Sequence, residues 1–256
     1  MTVLERVAII GSNSFSGASF TRYCLGQGLE VLGASRSGEP ASCFLPYRWL
    51  PAVEQRRFRF LRQDINGHLG PLIAALEEFR PAYVVNFAAQ GMVAESWLHP
   101  EHWYQTNVVA QVRLHERLRT CGWLRKYVHV STPEVYGSTA GMIDESAPFN
   151  PSTPYAASRA ACDLHLRTYL NHYKFPVAWT RAEQWLYRIQ LAGPTRCTCS
   201  MPRAPRPQLR WPSVARSPQM SAGWGILNKT VAFLSKWLWS GDRVDAEQRK
   251  GLAPQG

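Results

Sequence analysis

VAIIGSNSFSGASF, residues 7–20, decides the class of fold, and the rest of the chain can be read outward from it. VAII is a short apolar run of the kind that forms a buried strand. GSNSFSG follows at once, with glycines at 11 and 17, and residues 18–27 then read as a helix ending near Gly28. A glycine at such a turn lets the main chain bend sharply and approach an anion. The helix N-terminus beyond it offers unpaired N–H groups and a partial positive charge. Glycine is common between strands and helices, so the turn alone is weak evidence. Its weight comes from being the first turn of an alternating chain.

That alternation is plain downstream. Strands are expected at 31–35, 58–65, 83–90, 126–132 and 176–181, and helices at 72–79, 101–120 and 155–173. Residues 38–51, with three prolines, read as a long loop. Strands alternating with helices predict a parallel sheet covered on both faces, a Rossmann-like doubly wound α/β fold over residues 1–182.

Composition bounds what else the chain can be. Its 256 residues suffice for one large domain, or one domain with a smaller partner, and 45% hydrophobic content is ordinary for a globular chain. Glu5 and Arg6 interrupt the N-terminus, so no signal peptide is expected. No uncharged stretch approaches the roughly 20 apolar residues of a spanning helix. Of six cysteines only Cys197 and Cys199 lie close together, and the seven histidines fall at no ligand spacing, so no metal site is expected. A cytoplasmic location with reduced thiols follows as the default.

The formal charge of +11 suggests a nucleic-acid partner until it is divided. Residues 1–182 carry 18 Lys+Arg against 14 Asp+Glu; residues 183–256 carry 11 against 4. The excess therefore belongs mostly to the C-terminal part, which has tryptophans and arginines but no repeated stacking arrangement. A nucleic-acid role is not expected.

As the first turn of an alternating chain, the glycine turn suggests a bound dinucleotide, and the end of the second strand bears on which one. An acid there would bind an unmodified ribose, but the sequence reads Ala34-Ser35-Arg36-Ser37. An arginine between two hydroxyls suits a 2′-phosphate and favours NADP over NAD; the competing reading makes Arg36 a solvated loop residue.

Three further stretches complete a pattern: Phe87-Ala88-Ala89-Gln90 after the fourth strand, Ser131-Thr132-Pro133-Glu134-Val135-Tyr136-Gly137 after the fifth, and Tyr155-Ala156-Ala157-Ser158-Arg159 opening the next helix. With the glycine turn, this order closely resembles the extended short-chain dehydrogenase/reductase family, and within it the nucleotide-sugar epimerases and dehydratases. The resemblance covers residues 5–181, about 70% of the chain.

It implies a nucleotide-sugar substrate and a set of roles. Tyr155 would take the proton of a sugar hydroxyl as hydride leaves the same carbon, and Thr132, with Ser131 beside it, would hydrogen-bond that hydroxyl. Arg159 stands where the family has lysine. As a cation one turn away it would favour the phenolate and bind the nicotinamide ribose, though its planar head makes a poor proton relay. Glu134 matches the dehydratase glutamate that abstracts the proton beside a transient ketone, and is otherwise a structural turn acid. Pro133 replaces an aspartic acid that protonates the leaving hydroxyl in some dehydratases, so that proton would come from Glu134 or water. Epimerases and decarboxylases of the family also carry a glutamate here, and those activities remain the alternative.

The cofactor site implied comprises Gly11, Asn13, Ser14, Phe15, Ser16, Gly17 and Arg36, with Asp64 and Ile65 near the adenine. Phe87, Ala88, Ala89, Gln90 and Asn107 complete it, Asn107 mainly as support for the sheet and active-site loop. Ser96 and Asn107 belong to the family's Ser…Pro…Thr-Asn run, here SWLHPEHWYQTN. Relatives pair through their two long helices, so a homodimer is implied.

After residue 182 the pattern departs from the family. The expected Arg-x-x-Asn-x-Tyr-Gly-Pro turn is replaced by TRAEQWLYRIQLAGPTRC, and no substrate-binding half follows. The text of residues 183–256 fits a truncation or frame shift, or a divergent basic, Pro/Trp-rich tail. Its one ordered-looking piece is 225–240, with Leu227, Val231, Leu234 and Leu238 on one helical stripe, read as a helix packed on the protein or lying at a membrane surface. A non-catalytic NADP-binding protein whose tail meets an acidic partner is thus the second functional class.

Overall fold

A computed structural model describes residues 5–67, 69–138 and 146–181. The expected helix over 225–240, Cys197 and Cys199 lie outside the described residues, as does His68.

Six strands form one sheet: β1 (Arg6–Ile10), β2 (Glu30–Ser35), β3 (Phe58–Arg62), β4 (Tyr83–Asn86), β5 (Lys126–Ser131) and β6 (Val177–Arg181). Their order is β3-β2-β1-β4-β5-β6, and every pairing is parallel. This is the doubly wound arrangement expected from the alternation, with the direction of winding reversing between β1 and β4. The central strands are apolar on both faces because both faces are covered; Val7, Ile9, Val84 and Val85 are fully buried. The helices are α1 (Phe15–Gly26), α2 (Ala52–Gln55), α3 (Gly70–Phe79), α4 (Pro100–Tyr104), α5 (Ala110–Leu118) and α6 (Pro154–Tyr173). One main core joins Ala8, Ile10 and Val84 of the sheet to Leu72 and Leu76 of α3, Leu114 and Leu118 of α5 and Leu166 of α6.

Four expectations shift in detail. The loop over 38–51 contains two short 3-10 turns, Ser42–Phe44 and Pro46–Trp49. The third strand stops at Arg62, because the Asp64 carboxylate accepts from the Asn66 N–H (2.9 Å) and turns the chain. The fourth strand stops at Asn86 rather than 90. Asn86 Oδ1 accepts from the Ala88 N–H (2.9 Å), diverting the main chain from the ladder. The helix expected over 101–120 is interrupted by a π turn, Gln105–Val109, between α4 and α5. That extra residue brings Asn107 fully inside the fold.

Candidate active site and dinucleotide turn

The glycine turn is held shut by two contacts that only glycine permits. Gly11 has φ +83°, and a Cβ there would stand 2.8 Å from the Ala88 nitrogen and 2.9 Å from the Phe87 carbonyl carbon. A Cβ on Gly17 would stand 2.2 Å from the Gly11 carbonyl oxygen, so α1 starts pressed against the turn it caps. Ser14 is the N-cap: its Oγ accepts from the Gly17 N–H (3.0 Å) and its carbonyl from the Ala18 N–H (2.7 Å). Of the four N–H groups at a helix start without intrahelical partners, those of Phe15 and Ser16 are left for a ligand. The close backbone cradle and these two donors fit a dinucleotide pyrophosphate.

Asn13 fastens this turn to the end of β2. Its N–H donates to Ser35 Oγ (3.0 Å), and its Nδ2 donates to the carbonyls of Ser37 (3.2 Å) and Gly38 (3.0 Å). Asn13 therefore orders the segment carrying Arg36. Arg36 is exposed, and its guanidinium pairs with no carboxylate among the described residues. Ile65 is buried, and Asp64 spends one oxygen on its own turn.

A buried amide network fixes the segment after β4. Ala88 is gripped at its N–H by Asn86 Oδ1 and at its carbonyl by Gln111 Nε2 (2.9 Å), while Asn86 Nδ2 donates to Gln111 Oε1 (2.7 Å) and the Tyr127 hydroxyl (2.8 Å). Asn107 grips Gln90 likewise: Oδ1 accepts from its N–H (2.8 Å), and Nδ2 donates to its carbonyl (3.0 Å) and to Ser158 Oγ (3.0 Å). Trp103 Nε1 donates to the Gly91 carbonyl (2.7 Å). Asn107, fully buried, thus acts on the loop and α6, while Phe87, Ala88, Ala89 and Gln90 line the surface above it. Asn86 and Gln111 were not singled out in the sequence. Only a polar residue inside an apolar strand, and another on the inner side of α5, hinted at them.

Beyond β5, Thr132 caps the 3-10 turn Pro133–Tyr136, its Oγ1 accepting from the Glu134 N–H (3.3 Å). The Thr132 hydroxyl keeps its own proton to donate. Glu134 is half-buried in the first turn. Ala160 of α6 packs on Val135 and Tyr136, which ties this turn to the helix that Tyr155 opens. Thr153 caps α6 by accepting from the Ala156 N–H (3.1 Å), and the Tyr155 N–H donates to Ser96 Oγ (3.2 Å). Thr132, Glu134 and Tyr155 are thereby brought to one end of the sheet.

Two residues expected beside them point elsewhere. Ser131 Oγ donates inward to Asp163 Oδ2 (2.9 Å), so its hydroxyl is spent on the core. Arg159 is 2% exposed, and its Nη2 donates to the Val130 carbonyl. The pull comes from the buried Asp163, one turn further along α6. Its carboxylate also accepts from Arg181 Nη2 (3.1 Å). Burial pushes the Asp163 carboxyl above its ordinary value, against the opposing pull of Arg181, Arg159 and Ser131. Nε and Nη1 of Arg159, both inside the fold, have no partner among the described residues. Asp163 was legible only as an acid four residues after Arg159, hence on the same helical face.

Residues 9–184 match the sequence model of the family described as GDP-mannose 4,6 dehydratase. A probable dTDP-glucose 4,6-dehydratase of Sinorhizobium fredii is 33% identical over 186 residues, covering 67% of this chain and 51% of that protein. A dTDP-glucose 4,6-dehydratase of Xanthomonas campestris pv. campestris is 37% identical over 185 residues, with the same coverage of 67% and 51%. Among solved structures, DesIV (dTDP-glucose 4,6-dehydratase) of Streptomyces venezuelae, with NAD and TYD bound, superposes with a TM-score of 0.60 at 32% identity, covering 69% of this chain and 55% of that one. The Thermus thermophilus UDP-glucose 4-epimerase, in complex with NAD, gives 0.59 at 28% identity, covering 69% and 54%. The chain spans about half the length of the curated relatives it matches. The glycine turn, the Thr132–Glu134 turn and the Tyr155 helix all fall inside the matched span, and the chain belongs to the GDP-mannose 4,6 dehydratase family of extended short-chain dehydrogenases/reductases.

Proposed function

We propose that residues 1–182 are the dinucleotide-binding domain of a nucleotide-sugar 4,6-dehydratase, with 183–256 a separate region. The observation that carries this reading is the convergence of Thr132, Glu134 and Tyr155 at the sheet end where the glycine turn touches Phe87 and Ala88. The nicotinamide, when bound, supplies a two-electron acceptor that transiently oxidises a sugar carbon. Tyr155, as the phenolate, takes the proton of the sugar hydroxyl, and Thr132 Oγ1 donates a hydrogen bond to that oxygen. Glu134 takes the proton beside the ketone. Because Pro133 carries no acid, Glu134 or water returns a proton to the departing hydroxyl.

Arg36, flanked by Ser35 and Ser37 and paired with no carboxylate among the described residues, supports NADP, although the structural relatives cited hold NAD. The substrate is a nucleotide sugar of the kind the relatives' names specify. Two copies pair through α5 and α6, and the chain works in the cytoplasm; among the described residues no helix is long and apolar enough to cross a membrane.

A second reading has its own support. Arg159, where the family has lysine, is drawn into the core, which fits a dinucleotide-binding protein without turnover. The test is the full chain and its Tyr155→Phe variant, with dinucleotide binding followed by fluorescence and turnover assayed on dTDP-glucose and GDP-mannose. Turnover abolished in the variant at unchanged cofactor affinity supports the dehydratase. Binding without turnover in both chains supports the second reading, and absence of dinucleotide binding overturns both.

A further inference from the structure

Inside the fold, away from the glycine turn, lies a cluster that the proposed chemistry does not use. His115 of α5, His129 of β5 and Cys162 of α6 are each fully buried. One nitrogen of each imidazole and the Cys162 sulfur all lie within 4.8 Å of one another. No regular spacing joins positions 115, 129 and 162; only the packing of two helices on one strand brings them together.

The hydrogen bonding around the rings is lopsided. His115 Nε2 sits 2.9 Å from the Tyr127 hydroxyl, and Nδ1 has no partner among the described residues. His129 Nε2 lies 3.8 Å from Asp163 Oδ1, too far for a hydrogen bond, and neither of its nitrogens has one among the described residues. Buried polar groups without partners are rare, and three such nitrogens on two adjoining rings call for a missing ligand. His115 has an outer partner on one side and a bare Nδ1 on the other, and Asp163 stands within 3.8 Å of His129 Nε2. Metal-bound histidines have this arrangement, with a hydroxyl or carboxylate orienting the far nitrogen.

The donor set defines the ion. Two imidazoles and a thiolate select thiophilic ions, Cu(I) or Zn(II), over hard cations that seek oxygen. We propose that His115, His129 and Cys162 form a buried three-ligand site, two nitrogens and one sulfur, for one such ion, with Tyr127 and Asp163 as outer partners. On binding, the metal–Sγ bond forms and the thiol proton leaves to solvent, one per ion, with no change of oxidation state. A single thiolate neutralises Cu(I), whose preference for few ligands matches three donors, whereas zinc would need a fourth. The site is independent of the reading of the active site.

The full chain, with Cys197 and Cys199 changed to Ser so that they cannot compete, is stripped of metal. It is then titrated with Cu(I) and, separately, Zn(II) against chromophoric competitors. The expected result is one ion per chain, a higher Tm for the loaded protein, and loss of binding in Cys162→Ser. Tyr127→Phe, which keeps all three ligands, lowers affinity about 10–100-fold. Should Cys162→Ser fail to fold, a thiolate-to-metal charge-transfer band in the Co(II)-loaded parent stands in for it. No stoichiometric uptake of either ion, or affinity unchanged in Cys162→Ser and Tyr127→Phe, overturns the site.

Discussion

Changing Asn107 to Ala separates a residue that supports the site from one that touches the cofactor. Its side chain is fully buried and makes three hydrogen bonds, of 2.8, 3.0 and 3.0 Å, to Gln90 N–H, Gln90 carbonyl and Ser158 Oγ. At about 1 kcal/mol net for each bond, with a further cost of about 1–2 kcal/mol for groups stranded inside, Asn107→Ala should destabilise the fold by about 4–5 kcal/mol. For a domain of this size each kcal/mol lowers Tm by about 2–4 °C, so a fall of about 8–20 °C is expected. Dinucleotide affinity should fall as well, because the segment over 87–91 loses one of its side-chain anchors. Urea unfolding and fluorescence titration on the same preparations read the two effects. A destabilisation below about 1 kcal/mol together with lost binding would refute the reasoning, since it would place the amide on the cofactor rather than on the loop.

Three other outcomes follow from the same geometry. Gly11→Ala forces a side chain onto a φ of +83° and against main-chain atoms at 2.8 and 2.9 Å, and should cost about 2–4 kcal/mol and most dinucleotide affinity. Unaltered binding would remove the turn as the pyrophosphate site. Arg36→Ala should weaken NADP about 10–100-fold, the worth of a charge-assisted hydrogen bond, and leave NAD nearly unchanged; an equal loss for both would make Arg36 a general contact. On the surface, bonds from Arg119 and Tyr169 hold the Glu116 carboxyl down at about 2. Its folded value lies below its unfolded one, so the stabilisation is present above the ordinary value of 4.5 and is lost as pH falls through about 2. The urea midpoints of the parent and Glu116→Gln should therefore differ slightly near neutrality and converge at the acid end, the difference staying small because the pair is exposed.

The fold was legible because each element writes its own period. Apolar runs such as VAII and YVV sit on strands covered on both faces, and the turn between β1 and α1 needs Gly11 for its positive φ and for space, and Gly17 for space. The candidate site residues were placed for a related reason. Thr132, Glu134 and Tyr155 lie at element ends, where short motifs hold a fixed relation to the strand or helix beside them. Element boundaries were less legible, since the end of β4 is set by Asn86 taking the Ala88 N–H and the break before α5 by a π turn. Neither boundary is marked by a glycine or proline at the break itself.

Sequence by itself therefore determined the sheet, the glycine turn between β1 and α1, and the family. Tertiary structure alone decided where the buried polar groups face. A one-turn spacing places Arg159 near Tyr155, but the low dielectric of the interior makes an unpaired charge so costly that the guanidinium turns toward Val130 and the Asp163 side of the core. The same packing draws Ser131 inward and gathers His115, His129 and Cys162 from three elements. Periodicity records which face of an element is buried, and the partner found there depends on the chain's return from far along the sequence.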